Sequence, residues 1–198
     1  MNTDDERFQA MVRWSNIPPK THSTHRLQTL LPSKEIENIL QVAIDFANNK
    51  AEHHFLTIIG EPGRGKTHLA LGIGWHLLEV HLVLVKYWQV ESLLDELRRG
   101  FRADTDEKVH QFDYLLNTIK GVPMLILDDL GVEQSTEWAR AKLDEIIDHR
   151  YIHGERTVIT TNLEPAKLQP RIASRLQEGL IVVLECGDYR LVKARLRK

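Results

Sequence analysis

The pattern of apolar and polar positions along this chain switches repeatedly between two periods. Residues 54–59 (HFLTII), 82–88 (LVLVKYW), 123–129 (PMLILDD), 156–162 (RTVITTN) and 180–185 (LIVVLE) are short apolar runs, and each predicts a strand. Between them, apolar residues recur at three- and four-residue spacing. In 33–49 (SKEIENILQVAIDFANN), Ile36, Ile39, Leu40, Ala43, Ile44 and Ala47 share one face, and Ser33 is placed to cap the helix. Helices are likewise predicted over 67–79, 90–101, 107–119 and 137–153. Strands alternating with helices make βαβ units, so the expected fold is α/β: five parallel strands in one sheet, with helices on both faces. Residues 1–33 contain Pro18, Pro19 and Pro32 and show little periodicity. They predict an irregular N-terminal arm ahead of one domain over 34–198, with little or no separate lid.

Composition narrows the class. The 198 residues are 42% hydrophobic and 27% charged, as in an ordinary globular protein with one substantial core. A net charge of −2 gives no general attraction to nucleic acid, so any such binding must come from a local patch. The single cysteine, Cys186, excludes an internal disulfide and a cysteine-rich zinc site. No apolar run approaches the ~18 residues that span a bilayer. The chain opens with Asp4, Asp5 and Glu6, unlike a secretory signal. A cytoplasmic protein with no membrane partner is expected.

On a parallel sheet, ligands bind beyond the carboxyl ends of the strands, and the informative residues stand there. After the first strand comes GEPGRGKT, residues 60–67, matching GxxxxGK[ST]. Gly60, Gly63 and Gly65 let the backbone aim successive N–H groups at phosphate oxygens. The following helix adds the positive end of its dipole. Lys66 is suited to the β- and γ-phosphates and the Thr67 hydroxyl to Mg²⁺. The intervening Glu61, Pro62 and Arg64, with His68 just after, complete the expected nucleotide-binding segment of a three-layer P-loop NTPase. LILDDLG, residues 125–131, ends a buried strand on two carboxylates, which is costly unless they meet a cation. Asp128 is the expected Mg²⁺ partner and Asp129 the residue that polarises the attacking water. Asn162 ends the next strand, where it is placed to hold the γ-phosphate or orient that water. None of these supplies a cation for the charge that spreads over a transferring phosphoryl group, the part an arginine finger plays.

GEPGRGKTHLA, LILDDLG, TEWARAKLDEIIDHRY, VITTNL, RIASRL and GDYRL, in this order and spacing, resemble the AAA+ ATPases of the DnaC/DnaI helicase-loader and IstB-like group over roughly residues 15–192. The resemblance implies ATP binding and hydrolysis, rings or spirals of subunits, and single-stranded DNA in a central channel. It assigns Lys66 and Thr67 to Walker A, Asp128 and Asp129 to Walker B, and Asn162 to sensor 1. It makes Arg175 an arginine finger acting on the neighbouring subunit's ATP, with Arg171 as its companion and Arg190 at a sensor-2-like position. Two departures stand out. Asp129 occupies a place where many relatives have glutamate. Such loaders carry an N-terminal domain that grips the helicase, whereas here about 33 residues precede the first predicted helix. That gripping function is expected to use the short arm, to reside on another polypeptide or to be absent.

Read without the resemblance, Arg171 and Arg175 are also the wet side of an amphipathic turn whose Ile172 and Leu176 face a core. A DNA-facing candidate is ELRRGFR, residues 96–102, where Arg98, Arg99 and Arg102 flank the Phe101 ring, diluted by nearby carboxylates. The alternative there is a basic helix end complementing its own dipole. The expected function is an ATP- and Mg²⁺-dependent replication helper that binds single-stranded DNA and acts on a replicative helicase. A transposase helper and a nucleotide-dependent scaffold with little hydrolysis are the alternatives.

Overall fold

The computed structural model describes residues 3–30, 34–101, 106–131, 136–185 and 187. Five strands form one parallel sheet in the order β2-β3-β4-β1-β5. They are β1 (Phe55–Ile59), β2 (Val85–Gln89), β3 (Met124–Leu130), β4 (Arg156–Thr161) and β5 (Leu180–Val183). The connecting helices are α3 (Lys66–Val80) after β1, α4 (Val90–Phe101) and α5 (Asp106–Gly121) after β2, α6 (Glu137–Ile152) after β3, and α7 (Pro170–Gln177) after β4. Helices α1 (Thr3–Ser15) and α2 (Lys34–Ala47) precede the sheet. The expected three-layer α/β architecture is what forms.

Each central strand buries both faces, which is why its sequence reads as an unbroken apolar run rather than an alternation. Leu56, Ile58, Ile126 and Val158 face a cluster shared with α2 and α3, while Phe55, Leu125, Leu127 and Ile159 face one shared with α4, α5, α6 and α7. The start of β2 and the end of β5 lie more than one residue inward of the expected positions. Residues 82–84 do not join β2, because Leu82 takes φ 49° and the Val83 N–H returns to the Leu77 carbonyl at 3.1 Å, closing the end of α3. β5 ends at Val183, although the Leu184 N–H still donates to the Ile59 carbonyl at 2.7 Å.

The arm corrects the expectation. Residues 3–15 are helical, with Asp4, Asp5 and Glu6 in the first turn and Arg13 in the last, matching the helix dipole. Met11 and Val12 are buried with Phe8 packed beside them, an i, i+3, i+4 trio too short to register as periodicity. The rest of the arm, with Ile17, Leu27 and Leu30, packs into the same cluster as α3. Helix α3 accommodates it because Gly72 has no Cβ, which would lie 3.0 Å from Leu27 N. Trp75 donates its indole N–H to Thr21 Oγ1 at 3.0 Å, and the Lys86 ammonium donates to the Trp14 carbonyl at the end of α1. Ser33 lies outside the described residues. Among the described residues no helix is long and apolar enough to cross a membrane.

Arg150 of α6 is fully buried and works as a structural fork. Its guanidinium donates to the carbonyls of Ile119 (2.9 Å), Lys120 (3.0 Å), Val122 (2.9 Å) and Arg156 (2.6 Å) and to Thr157 Oγ1 (2.9 Å). It thereby ties the end of α5 to the starts of β3 and β4. Burial pulls its pKa down to about 10, which still leaves it charged at neutral pH. Arg150→Met strands several buried acceptors, each worth about 1–3 kcal/mol. A melting temperature lower by roughly 10 °C is expected in thermal unfolding; a shift of a degree or two removes this role.

Candidate nucleotide site

The site forms where three adjacent strands end. Because β4 lies between β1 and β3, the P-loop after β1, the carboxylates ending β3 and Asn162 after β4 converge. They border a cavity of about 550 Å³ lined by Pro62, Gly63, Gly65, Lys66, Thr67, His68, Asp128, Asp129 and Asn162, joined by His25 and Gln89. Gly63 and Gly65 take φ 85° and 94°, and Gly65 caps α3 in that left-handed conformation. The first-turn N–H groups of α3, which have no acceptor within the helix, sit at this cavity.

The polar groups are already cross-connected. Lys66 donates to the Glu61 carbonyl at 3.0 Å and to Asn162 Oδ1. Asn162 in turn donates through Nδ2 to Asp129 Oδ1 at 3.0 Å. The Thr67 hydroxyl lies 3.0 and 3.1 Å from the two oxygens of Asp128, which is only 2% exposed. Asp128 also accepts from Thr160 Oγ1 (2.7 Å) and from the Tyr87 hydroxyl (2.9 Å). Burial first, and then the charges of Asp128 and Asp129, push the Tyr87 pKa well above its ordinary value, so the phenol stays a donor. Thr67 and Asp128 together offer hard oxygen ligands around a buried negative charge, a donor set that fits Mg²⁺.

Several expected residues stand elsewhere. Gly60, Glu61 and Arg64 do not line the cavity. Arg64 donates to Glu61 Oε2 at 2.6 Å and to the Glu185 carbonyl at 2.7 Å, and the first of these bonds lowers the exposed Glu61 carboxyl's pKa. His68 lines the cavity but also faces the arm: its Nε2 is 3.0 Å from the Arg26 carbonyl and from Thr29 Oγ1, and its ring is 4.9 Å from His25. Arg171 and Arg175 are absent from the cavity lining and engage α6 instead. Arg171 pairs with Asp148 at 3.0 Å, and Arg175 donates twice to Asp148 at 3.1 Å while stacking 4.2 Å over Tyr151. Arg175 lines a second cavity of about 320 Å³ with Glu52, His53, His54, Phe55 and Gly179, which precede or open β1 and β5. That is the opposite end of β1 from the P-loop, on the order of 15 Å away at ~3.3 Å per strand residue. Arg190 and Arg102 lie outside the described residues.

In the basic stretch, Arg98 pairs with Asp95 at 3.1 Å and Arg99 with Glu96 at 3.0 Å, each one turn back on α4. Phe101 is 61% exposed, with Phe112 and Trp138 beside it. The sequence pattern did not point to His25, Tyr87, Gln89 or Thr160 at the site. Only Thr160 leaves a trace there, as one of two adjacent threonines that end β4 after the apolar Val158 and Ile159. His149 of α6 and His153, the residue capping its C-terminus, stack at 4.1 Å, but no group of three metal-ligating side chains exists among the described residues.

The model of the family described as IstB-like ATP binding protein matches residues 1–172. The chain belongs to that family. The IstB-like chain is 29% identical over 160 residues to the chromosomal replication initiator protein DnaA of Thermotoga sp. (strain RQ2), a match covering 79% of this chain and 35% of that protein. It is 27% identical over 143 residues to DnaA of Onion yellows phytoplasma, covering 68% and 26%. The chain thus spans about a third or less of the length of these curated relatives. Among solved structures, the DnaC helicase loader superposes with a TM-score of 0.65 at 27% identity, over 84% of this chain and 99% of that one. The replication initiator DnaA bound to AMPPCP and single-stranded DNA gives 0.76 at 20% identity, over 92% and 56%, a likeness of fold. The IstB-like fold is therefore that of the AAA+ ATPases.

Proposed function

We propose that this chain is an Mg²⁺-dependent ATPase that binds single-stranded DNA and assembles on, or remodels, a replicative helicase. The observation that carries the reading is the convergence of Lys66, Asn162 and Asp129 with Thr67 and Asp128 around one cavity at the ends of three strands. In this reading Lys66 exchanges its protein acceptors for β- and γ-phosphate oxygens. Asp129, held by Asn162, orients and polarises the attacking water. Thr67 and Asp128 hold Mg²⁺, which when bound neutralises charge on the phosphates. Arg171 and Arg175 serve a neighbouring copy's nucleotide, so the active form is a homo-oligomer.

Support for the client comes from the similarity to the DnaC helicase loader, which spans nearly all of that chain. A transposase is the second reading of the client, favoured by the match to the IstB-like family model. Likeness to a DnaA structure that holds single-stranded DNA supports the DNA partner. Steady-state ATPase assays with and without single-stranded DNA test the enzyme reading, with DNA-stimulated turnover expected. Nucleotide binding without measurable turnover replaces it with a scaffold. Mixing the protein with the host's replicative helicase or with a transposase, with and without ATP, identifies the client.

For the DNA surface, the proposal is Arg98, Arg99, Phe101 and Arg102. The exposed ion pairs to Asp95 and Glu96 are each worth about 1 kcal/mol or less, so phosphates compete with them readily. Arg98→Ala combined with Arg102→Ala is expected to weaken single-stranded DNA binding. The slope of log affinity against log salt should fall by about 1.4, at ~0.7 for each phosphate that is no longer neutralised. An unchanged slope assigns these arginines to the helix end alone.

A further inference from the structure

The two carboxylates that end β3 sit at a break in the strand register. Leu127 pairs with Ile159 and Leu130 with Thr161, so β3 takes three steps where β4 takes two. The additional residue makes a bulge at Asp128–Asp129 opposite Thr160, and Asp129 adopts φ 64°. For a non-glycine residue that conformation is uncommon and persists where its surroundings fix it. Bulges of this kind redirect side chains beside active sites.

One side chain fixes this bulge. The buried Thr160 hydroxyl donates to Asp128 Oδ1 at 2.7 Å and accepts the Asp129 backbone N–H at 2.9 Å. Its donor and one acceptor position thus tie both carboxylate residues to β4. From β2, on the other side of β3, Tyr87 donates to Asp128 Oδ2 at 2.9 Å. Asp128 is therefore gripped from both neighbouring strands, with Thr67 as its third hydroxyl donor. Neutral hydroxyls orient a buried carboxylate without neutralising it. The arrangement fits a carboxylate whose direction is fixed toward the cavity.

We infer that Thr160 and Tyr87 are positioning residues: together they aim Asp128 at the Mg²⁺ of bound nucleotide, and Thr160 also holds Asp129 in the turn that presents its carboxylate to water. The inference rests on the Mg²⁺–ATP reading above. Neither residue lines the cavity. Their effect should therefore appear in metal affinity and turnover, and not in the metal-free grip on nucleotide.

The test loads the full chain with a non-hydrolysable ATP analogue and titrates Mn²⁺, as a spectroscopic substitute for Mg²⁺, by electron paramagnetic resonance. Thr160→Val keeps the side-chain shape and removes the hydroxyl. Losing such an outer partner of a metal ligand is expected to raise the half-saturating Mn²⁺ concentration about 10-fold or more. The Mg²⁺ requirement for ATP turnover should rise in parallel, with affinity for the analogue in EDTA unchanged. Thr160→Ser should restore parental values. Tyr87→Phe, which removes a single oxygen, should shift the Mn²⁺ titration in the same direction, and it carries the test should Thr160→Val not fold. Mn²⁺ titrations coincident with the parent's overturn the inference, as does an equal loss of metal-free affinity. If the parent itself binds the analogue with no dependence on Mn²⁺, the Mg²⁺–ATP reading falls with it. A metal-dependent parent beside unaffected variants overturns this inference alone.

Discussion

Arg175→Ala is expected to bind ATP as tightly as the parent and to lose turnover on the order of 10³-fold, even with DNA present. The two effects separate because a finger meets charge that develops only in the transition state. Arg175 opens on a cavity at the start of β1, whereas the P-loop follows the end of the same strand. Its guanidinium therefore serves another copy's nucleotide or none. Within its own chain it rests on Asp148 and Tyr151, a partly exposed arrangement worth little to stability. The thermal midpoint should thus stay near the parent's, separating lost chemistry from lost fold. The decisive measurement mixes Arg175→Ala, which keeps its P-loop, with Lys66→Ala, which keeps its finger. Each alone should be inactive, and the mixture should recover activity. If the parent hydrolyses ATP at undiminished specific activity on dilution to the monomer, the trans role is wrong.

Lys66→Ala is expected to lose affinity for a fluorescent ATP analogue by on the order of 100-fold or more, the worth of a charge-assisted hydrogen bond in a buried site. Lys66 is 7% exposed and already lies against Asn162 Oδ1 and the Glu61 carbonyl at the cavity wall. Its ammonium is thus preorganised where the proposed reading places the phosphates. Alanine removes the cation and leaves Asn162 tied to Asp129. Asp128→Asn should act differently, weakening Mg²⁺-dependent turnover while some nucleotide stays bound. Unchanged analogue affinity in Lys66→Ala would sink the nucleotide assignment for this cavity.

The central strands and most helices were legible because each follows one clear period, and most residues lining the cavity were legible because they stand where strands end. What escaped did so for identifiable reasons. Helix α1 offers Phe8, Met11 and Val12 to one cluster and Trp14 to the other, too few positions on either face to define a stripe. His25 reaches the cavity from a segment without regular pattern, carried there by the packing of Leu27 against Gly72. Arg150 reads as one more polar residue on an amphipathic helix, yet it is buried against four carbonyls from three other segments.

By itself the sequence determined the strand–helix alternation, the glycine-rich loop after β1 and the lysine, threonine and carboxylates that stand at strand ends, because those depend on local spacing and residue type. The strand order was decided only in three dimensions. Placing β4 between β1 and β3 brings Asn162 from 96 residues away onto Lys66. The bulge that lets one threonine hold two aspartates, and the separation of Arg175 from its own P-loop, arise from strand register and helix packing. Those are meetings between segments distant in the chain, and local periodicity carries no record of them.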